Sequence, residues 1–194
     1  MSEVVSRTYW DERHRVQHSM GNPEPFVREV LPLLPKSGIA LDIGAGLGRH
    51  TIVLADHGLS VIAVDYSSEA IRALSEAVRA CPATVWPLLA DLDTFPFRPQ
   101  AFDLIVNVNF LERNLFPAFT RSLKPGGMLL VDTFLIDQLA VGHPRNPAFM
   151  FDHYELRRLL DGLELVRYRE GLTVYPDNSR AWRVSALAMR KGTD

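Results

Sequence analysis

The chain is poor in cysteine and contains no long apolar run. Cys81 is the only cysteine among 194 residues, which excludes an internal disulfide and favours a reducing compartment. It precedes Pro82 at a predicted helix end, a position that favours a small core residue over a nucleophile. No stretch reaches the about 20 apolar residues of a membrane span, and the N-terminal sequence lacks the apolar centre of a signal peptide. We therefore expect a cytoplasmic protein with no membrane partner.

An excess of charge of one sign is also lacking. The 21 Lys and Arg residues nearly balance the 23 Asp and Glu residues, and the formal net charge is −2. Because phosphate binding depends on clustered basic residues, we expect no nucleic-acid partner. Histidine and cysteine do not pair at the spacing of metal ligands, so no metal site is predicted. The hydrophobic content of 47% is typical of a globular chain and predicts a single domain over residues 1–194.

The most informative segment that is present is a glycine-rich turn after an apolar run. The run Ile39–Ile43 predicts a strand of a parallel sheet, buried on both faces. Gly44 opens a tight turn, and Gly46 lets the main chain approach a ligand closely. After Gly48, residues 49–57 have helical composition, and the free amides at the start of this helix would face the ligand. The segment therefore predicts a nucleoside-binding turn.

An acidic residue follows this turn at a sequence spacing that is typical of nucleotide-binding folds. Residues 60–64 predict a second strand that ends at Asp65, and Asp65 follows Gly44 at about the 20-residue spacing at which a carboxylate meets ribose hydroxyls. A dinucleotide fingerprint that begins at Gly44 would need glycine at position 49, where the chain has Arg49. The pattern therefore favours a nucleoside cofactor and disfavours a nicotinamide dinucleotide.

The rest of the chain alternates strands with helices. Ser67 or Ser68 caps a predicted helix, and residues 115–123 and the segment after the capping-box spacing of Asp152 and Glu155 predict two more. Further strands are predicted at 85–90, 102–108, 128–134, 163–169 and 181–190. The last two are joined by a connection too short for a crossover helix, so they must be antiparallel. We predict an α/β doubly wound sheet of about seven strands, mostly parallel with the last strand antiparallel.

In combination, these motifs resemble class I S-adenosylmethionine-dependent methyltransferases. The resemblance rests on LDIGAGLGRH, VDYS and LKPGGMLLVDTF, which occur in that order, and it covers residues 36–134. It implies a Rossmann-like fold, an enzyme, and S-adenosylmethionine as cofactor, with S-adenosylhomocysteine as product. It also implies that residues 36–194 form the catalytic core. Residues 1–35 would form either a helical lid over the cofactor or a helix packed on the flank of the sheet.

The resemblance also implies a set of site residues at the carboxyl ends of the strands. The acidic strand end and the turn would surround the methionine part of the cofactor, the next acid would hold the ribose, and the later residues would contact adenine. These implied cofactor contacts are Asp42, Gly44, Ala45, Gly46, Gly48, Asp65, Tyr66, Asp91, Leu92 and Asn107. Asn107 and Asn109 would bring acceptor and methyl donor together, and the alternative for both is capping of a strand end.

Within this superfamily the chain is similar to small tellurite-resistance-type methyltransferases, which methylate chalcogen oxyanions or other soft nucleophiles. The similar segments are YWDERH, HPRNPAFMFDHYELRRLL, LELVRYREG and RVSALAMRK. The resemblance implies that Arg183 is an active-site arginine, and a guanidinium can bind an anionic acceptor through two donors. The His-Arg pair of that group is absent, and Val174, Tyr175 and Pro176 stand in its neighbourhood.

The sequence therefore predicts a methyltransferase that acts on a small-molecule acceptor. The segment 135–151 is short, and the chain carries no inserted substrate domain. Methyl transfer from a sulfonium depends mainly on alignment, and His14, His18 and His50 are surface or capping residues rather than bases on this interpretation. Two alternatives stay open, a noncatalytic S-adenosylmethionine sensor and a nicotinamide-dependent oxidoreductase. The oligomeric state is also open.

Overall fold

The computed structural model describes residues 6–17, 19–80 and 84–192. The interpretations of Cys81 and Pro82 therefore lie outside the described residues, as does that of His18. Within the described ranges, no helix is both long enough and apolar enough to cross a membrane.

Eight strands of the described chain form one sheet. The strands are β1 Ile39–Ile43, β2 Ser60–Asp65, β3 Val85–Leu89, β4 Phe102–Val108, β5 Leu123–Leu135, β6 Met150–Phe151, β7 Glu164–Val174 and β8 Arg180–Met189. Their order is β3-β2-β1-β4-β5-β8-β7, with β6 paired to β5. The pairs among β1 to β6 are parallel, whereas β8 is antiparallel to both β5 and β7. The predicted fold class is confirmed, and the last strand inserts between β5 and β7.

Six α-helices of the described chain connect and flank these strands. They are α1 Arg7–Val16, α2 Pro25–Val30, α3 Arg49–Asp56, α4 Ser68–Ala77, α5 Phe116–Ser122 and α6 Glu155–Leu159. The predicted cap at Ser67 is confirmed, because its side chain accepts a hydrogen bond from the Ala70 amide. The predicted capping box is half formed: Glu155 accepts from the Asp152 amide at 2.9 Å, but Tyr154 is the cap residue and gives no side-chain bond.

Helices cover both faces of the sheet, as a doubly wound fold requires. On one face, Ile105 and Leu129 pack in a core with Phe116 and Phe119 of α5. On the other face, Leu104 and Leu130 pack with residues of α2 and α3, among them Phe26, Val27 and Leu54. Strand β2 lies on one side of β1 in the sheet and β4 lies on the other, so the strand order reverses between β1 and β4. Ligands of such sheets bind outside the carboxyl ends of the strands at this reversal.

Candidate active site

The glycine turn lies at this reversal and is tied to the neighbouring strand. The Ala45 amide donates to the Val64 carbonyl at 3.0 Å, and the Gly46 amide donates to Asp65 Oδ2 at 2.8 Å. Gly48 adopts φ +91°, and a Cβ atom there would lie 2.2 Å from Leu74 Cδ1. Glycine at position 48 therefore allows α3 to begin close against α4.

Asp65 is held in one orientation by two backbone amides. Its side chain is buried at the end of β2, where Oδ2 accepts from Gly46 and Oδ1 accepts from the Ser67 amide at 2.8 Å. Each carboxylate oxygen has a second lone pair that can accept a ribose hydroxyl. The geometry thus suits the role implied for Asp65, and it shows why the turn and β2 stay in register.

Asp42 lies at the end of β1, buried against α3. Thr51 Oγ1 donates to Asp42 Oδ2 at 2.6 Å. Burial raises the pKa of the Asp42 carboxyl to about 7, although the Thr51 hydrogen bond opposes this increase. A carboxyl that is half ionised at neutral pH gains stability when a cation approaches, because the cation favours its charged form. The amino group and sulfonium of S-adenosylmethionine are such cations.

The residues implied at the adenine end come together beside Asp65. The Ala90 amide donates to the Asp65 carbonyl at 3.1 Å and places the following segment next to β2. In that segment Asp91 is exposed and Leu92 is buried. The Arg7 guanidinium lies 4.6 Å from the centre of the Tyr66 ring. The carboxyl ends of β2 and β3 thus bring Asp65, Tyr66, Asp91 and Leu92 to one edge.

Helix α1 lies over the glycine turn and the start of α4. Asp11 accepts hydrogen bonds from Ser67 Oγ at 2.7 Å and from the Glu69 amide at 3.3 Å. His14 Nε2 is 3.6 Å from the position that a Cβ atom on Gly46 would occupy. No residue of α1 is fully buried. In this position α1 would cover the cofactor site, which is one of the two interpretations open from sequence and stays a prediction.

At the end of β4, Asn107 is fully buried between its strand partners Ile43 and Val131. Neither polar atom of its side chain has a hydrogen-bond partner among the described residues. A buried amide without partners is costly, so a ligand group or a water bound there would stabilise it. The unpartnered amide is compatible with the ligand contact predicted for Asn107, which stays a prediction.

Asn109 follows β4 and belongs to a polar network with Glu24, Asp132 and Arg183. No pattern in the sequence indicates this network. Its main chain adopts φ +57°, and its amide donates to the Asp132 carbonyl at 3.0 Å. Its side-chain Oδ1 accepts from Arg183 Nη1 at 2.7 Å, and its Nδ2 donates to Glu24 Oε1 at 3.3 Å. The structure thus brings two of the predicted residues, Asn109 and Arg183, into direct contact.

Arg183 is buried, and its charge is compensated. Its Nε donates to Asp132 Oδ1 at 3.2 Å, while Nη2 lies 3.1 Å from Asp132 Oδ2 and 3.9 Å from Glu24 Oε2. Burial alone would lower the pKa of Arg183, but Asp132 and Glu24 outweigh that effect and raise it, so the guanidinium stays charged. Its side chain is only 2% exposed, and Nη2 has no hydrogen-bond partner among the described residues.

Glu24 is the centre of this network. The residue precedes α2 and accepts from Arg49 Nη2 at 2.9 Å and from the Tyr175 hydroxyl at 2.8 Å. Burial would raise the pKa of Glu24, but Arg183 and Arg49 together with Tyr175 and Asn109 hold it below its usual value. The carboxylate is therefore ionised at neutral pH. No local pattern marks Glu24, because its hydroxyl partner lies 151 positions away.

His50 is buried beside the same segment and is not placed to act as a base. Its Nε2 accepts from the Glu24 amide at 3.3 Å, and its side chain is buried, so the expected surface position is wrong. Burial, together with the nearby Arg49, lowers the pKa of His50 to about 3. The imidazole is therefore neutral and already uses this lone pair.

Residues 40–127 match the family model described as a methyltransferase domain. This segment of the chain is therefore similar to methyltransferase domains. It is similar to the probable thiol methyltransferase 2 of Arabidopsis thaliana, with 28% identity over 135 residues, 64% of this chain and 59% of that protein. It is also similar to the 23S rRNA (guanine(748)-N(1))-methyltransferase of Streptomyces fradiae, with 33% identity over 132 residues, 67% of this chain and 39% of that protein. The chain thus spans 59% and 39% of the lengths of these curated relatives.

Solved structures show the same fold. TehB from Haemophilus influenzae is 20% identical and has a TM-score of 0.74 over 95% of this chain and 67% of that chain. The match over residues 40–127 bears out the predicted resemblance to S-adenosylmethionine-dependent methyltransferases, and S-adenosylmethionine is the cofactor that such a domain implies.

The described residues fit this cofactor. Asp65 is oriented by backbone amides, Asp42 has a carboxyl pKa that an adjacent cation would lower, and Asn107 has a buried amide without a partner. These three features lie at the ends of adjacent strands β2, β1 and β4. The individual contacts of each residue with the cofactor stay predictions.

Proposed function

We propose that this chain transfers a methyl group from S-adenosylmethionine to a small-molecule acceptor. The observation that carries the proposal is the bond between the Gly46 amide and Asp65 Oδ2, which fixes turn and carboxylate in the geometry of a nucleoside site. Asn109 follows β4 at the adjacent strand end and joins this cofactor side to the Glu24 and Arg183 network. Cofactor and acceptor would therefore meet at one crevice.

Alignment and exclusion of water are the contributions that these residues can make to catalysis. When bound, S-adenosylmethionine supplies a methyl group on a positively charged sulfur that leaves as a neutral thioether. Asp65 would hold the ribose, the turn from Gly44 to Gly48 would hold the methionine part, and Asn107 and Asn109 would position the acceptor. Fixed alignment of two reactants can contribute on the order of 7–11 kcal/mol to a rate enhancement.

A small acceptor is favoured by the short segments that border the crevice. Two single-turn helices, Ile136–Ala140 and Pro147–Phe149, occupy most of the connection between β5 and β6. Phe149 meets Trp10 of α1 edge to face, with ring centres 6.4 Å apart, so the cover and this connection touch. The net charge of −2 supports the prediction that nucleic acid is not the acceptor, although relatives include RNA methyltransferases by name.

Two chemical classes of acceptor enter the proposal, soft nucleophiles such as thiols and oxyanions such as tellurite or selenite. The thiol class is supported by the name of the Arabidopsis relative, and the oxyanion class by the resemblance to the tellurite-resistance-type group. Incubation with labelled S-adenosylmethionine and a panel of thiols, selenite, tellurite, halides, phenols and amines, followed by mass detection, tests the proposal directly. Methylated product from at least one small acceptor is expected.

A noncatalytic S-adenosylmethionine sensor is the second candidate function. It is supported by the fact that no side chain of the described site is an obligatory base, since His50 is neutral with a low pKa. A sensor would bind the cofactor and give no methylated product from any acceptor of the panel. Binding together with product formation would exclude it.

A further inference from the structure

We propose that an uncovered part of the sheet is a self-association surface, on which two copies of this chain pack face to face with their strands antiparallel. This open face consists of Ile62 of β2, Trp86 and Leu88 of β3, and Phe95, and it lies on the side of the sheet that carries α5 and α6. None of these residues is assigned to the cofactor or the acceptor, so this surface and the proposed function can be tested separately.

The open face arises because one side of the sheet has no helix at its β3 edge. Parallel strands are normally covered by helices on both faces. On the opposite face, α4 packs against β2 and β3. On this face, α5 packs over β4 and β5, whereas residues 90–101, which connect β3 to β4, contain turns and no helix. The side chains of β2 and β3 on this face therefore have no helix above them.

Large apolar side chains are exposed on the open face. The register pairs Trp86 with Ile62 and Leu88 with the buried Val64, so both residues of β3 point to the side of the core. Trp86 is nevertheless 48% exposed and Leu88 is 40% exposed. A groove of about 220 Å³ lies beside Ile62 and Phe95, and its lining side chains are apolar except for Arg98. An exposed apolar patch that contains an aromatic residue is typical of a protein–protein interface.

Pro87 disfavours the alternative in which β3 extends the sheet into a second molecule. Strand β3 is at the edge of the sheet, and an edge strand can pair with another strand through its free backbone groups. Pro87 stands at the centre of β3 and has no amide hydrogen, so it interrupts the row of donors along this edge. Contact between two copies should therefore use the face of the strand.

Exposed charges of opposite sign lie at the two ends of the open face. At the amino ends of the strands are Arg98 and Arg121, and the Gln100 amide donates to the Arg121 carbonyl at 3.1 Å, which holds their segments together. At the carboxyl ends are Asp93 and Glu112. Partial burial, together with the neighbouring Asp93, raises the pKa of Glu112, so the two carboxylates are close. None of these four charged side chains forms an ion pair within the described ranges.

A second copy of the chain matches this charge pattern. When two identical surfaces pack face to face, the two-fold axis lies in the plane of the interface. With the axis perpendicular to the strands, the Arg98 end of each copy meets the Asp93 end of the other, whereas an axis parallel to the strands would bring like charges together. The first arrangement buries Trp86 and Leu88 at the centre and places the charges at the rim, as in specific interfaces.

Sedimentation equilibrium of the full chain tests the inference, at concentrations up to about 100 μM, which cover the micromolar range of weak interfaces. Wild type should form a dimer that dissociates as salt is added, because the charges at the rim are exposed. Trp86→Arg should raise the dimer dissociation constant about 30-fold or more, the effect expected for a central aromatic residue. Val174→Arg is the matched control, since Val174 is an apolar residue that is 56% exposed on the opposite edge strand, β7. It should leave the dimer unchanged.

Charge reversals test the antiparallel arrangement with variants that should fold, because both positions are exposed. Arg98→Glu and Asp93→Arg should each raise the dissociation constant about fivefold, and the double variant should return close to wild type, since opposite charges then meet again. A monomer at every concentration would overturn the inference and leave the open face to a different partner. A dimer that Trp86→Arg leaves intact, loss of the dimer in Val174→Arg, or a double variant no tighter than the single ones would also overturn it.

Discussion

The two halves of the candidate site are built in different ways. The cofactor half is centred on one continuous stretch, residues 42–67, whose key contacts are bonds between a carboxylate and backbone amides, and Asp91, Leu92 and Asn107 join it from later segments. The acceptor half is assembled from side chains of five separate segments, which contribute Glu24, Asn109, Asp132, Tyr175 and Arg183. The first half therefore depends on main-chain shape and the second on charge balance. Mutations should separate these two kinds of dependence.

The largest expected effect on stability lies in the acceptor half. Glu24→Gln removes a buried charge that compensates Arg49 and Arg183, and loss of one partner from a buried ion pair costs about 3–5 kcal/mol. Since the pKa of Glu24 is lowered in the folded state, its contribution is complete above the unfolded value near 4.5 and is lost as pH falls through the folded value. Urea denaturation should show the full difference at pH 7 and a smaller one below pH 4.5.

Glu164→Gln, which changes an exposed glutamate on β7, is the control for this measurement and should stay within about 0.5 kcal/mol of wild type. If the free energies of unfolding of Glu24→Gln and wild type differed by the same amount at every pH, this would contradict the charge balance assigned to the acceptor half.

The next prediction concerns Asp42 in the cofactor half, where a substitution should stabilise the folded chain. Asp42→Asn replaces a buried carboxyl, whose pKa is raised to about 7, by a neutral group that can still accept from Thr51. A raised carboxyl pKa means that wild type loses stability as pH rises from about 4 to 7. The variant should therefore be more stable than wild type by about 4 kcal/mol at pH 8, and by less at pH 5. Thermal unfolding of the ligand-free chain at the two pH values measures this.

The same Asp42→Asn variant should bind S-adenosylmethionine more weakly, because the negative charge that faces a cationic cofactor is lost. A variant that was less stable than wild type at pH 8 would show that Asp42 is not desolvated in this way.

The smallest effect concerns the shape of the turn itself. Gly48→Ala places a Cβ atom 2.2 Å from Leu74 Cδ1 and forces alanine to φ +91°. We therefore expect the free energy of unfolding to fall by about 2 kcal/mol. Gly142→Ala is the matched control, since a Cβ atom there has no heavy atom of the structure within 4 Å. In chemical denaturation, only the variant at position 48 should have a clearly lower free energy of unfolding than wild type. Equal free energies for the two variants would contradict the packing described for the turn.

The sequence predicts most of the fold and the cofactor half because both depend on local patterns. Apolar runs and turn residues mark the long strands, and the spacing of Gly44 and Asp65 marks the nucleoside site. The strand β6 has only two residues, so it is too short to show a periodic pattern of apolar residues in the sequence. Glu24 carries no signal either, since its partners are brought to it only by folding. Tyr175 is noted in the sequence only as one of the residues in the neighbourhood of the absent His-Arg pair.

Calorimetric titration of the full chain with S-adenosylmethionine is the most direct test of the central claim, that the glycine turn and Asp65 hold this cofactor. Wild type should bind one equivalent, and Asp65→Ala should bind about 100-fold more weakly, because hydrogen bonds to a charged group contribute about 1.5–3 kcal/mol each. Asp65→Asn, which keeps an oxygen for a backbone amide, should also bind more weakly and retain the fold by circular dichroism. Asp56→Ala, at the exposed far end of α3, should match wild type. Equal affinity in wild type and Asp65→Ala, or binding of NAD in place of S-adenosylmethionine, would contradict the account.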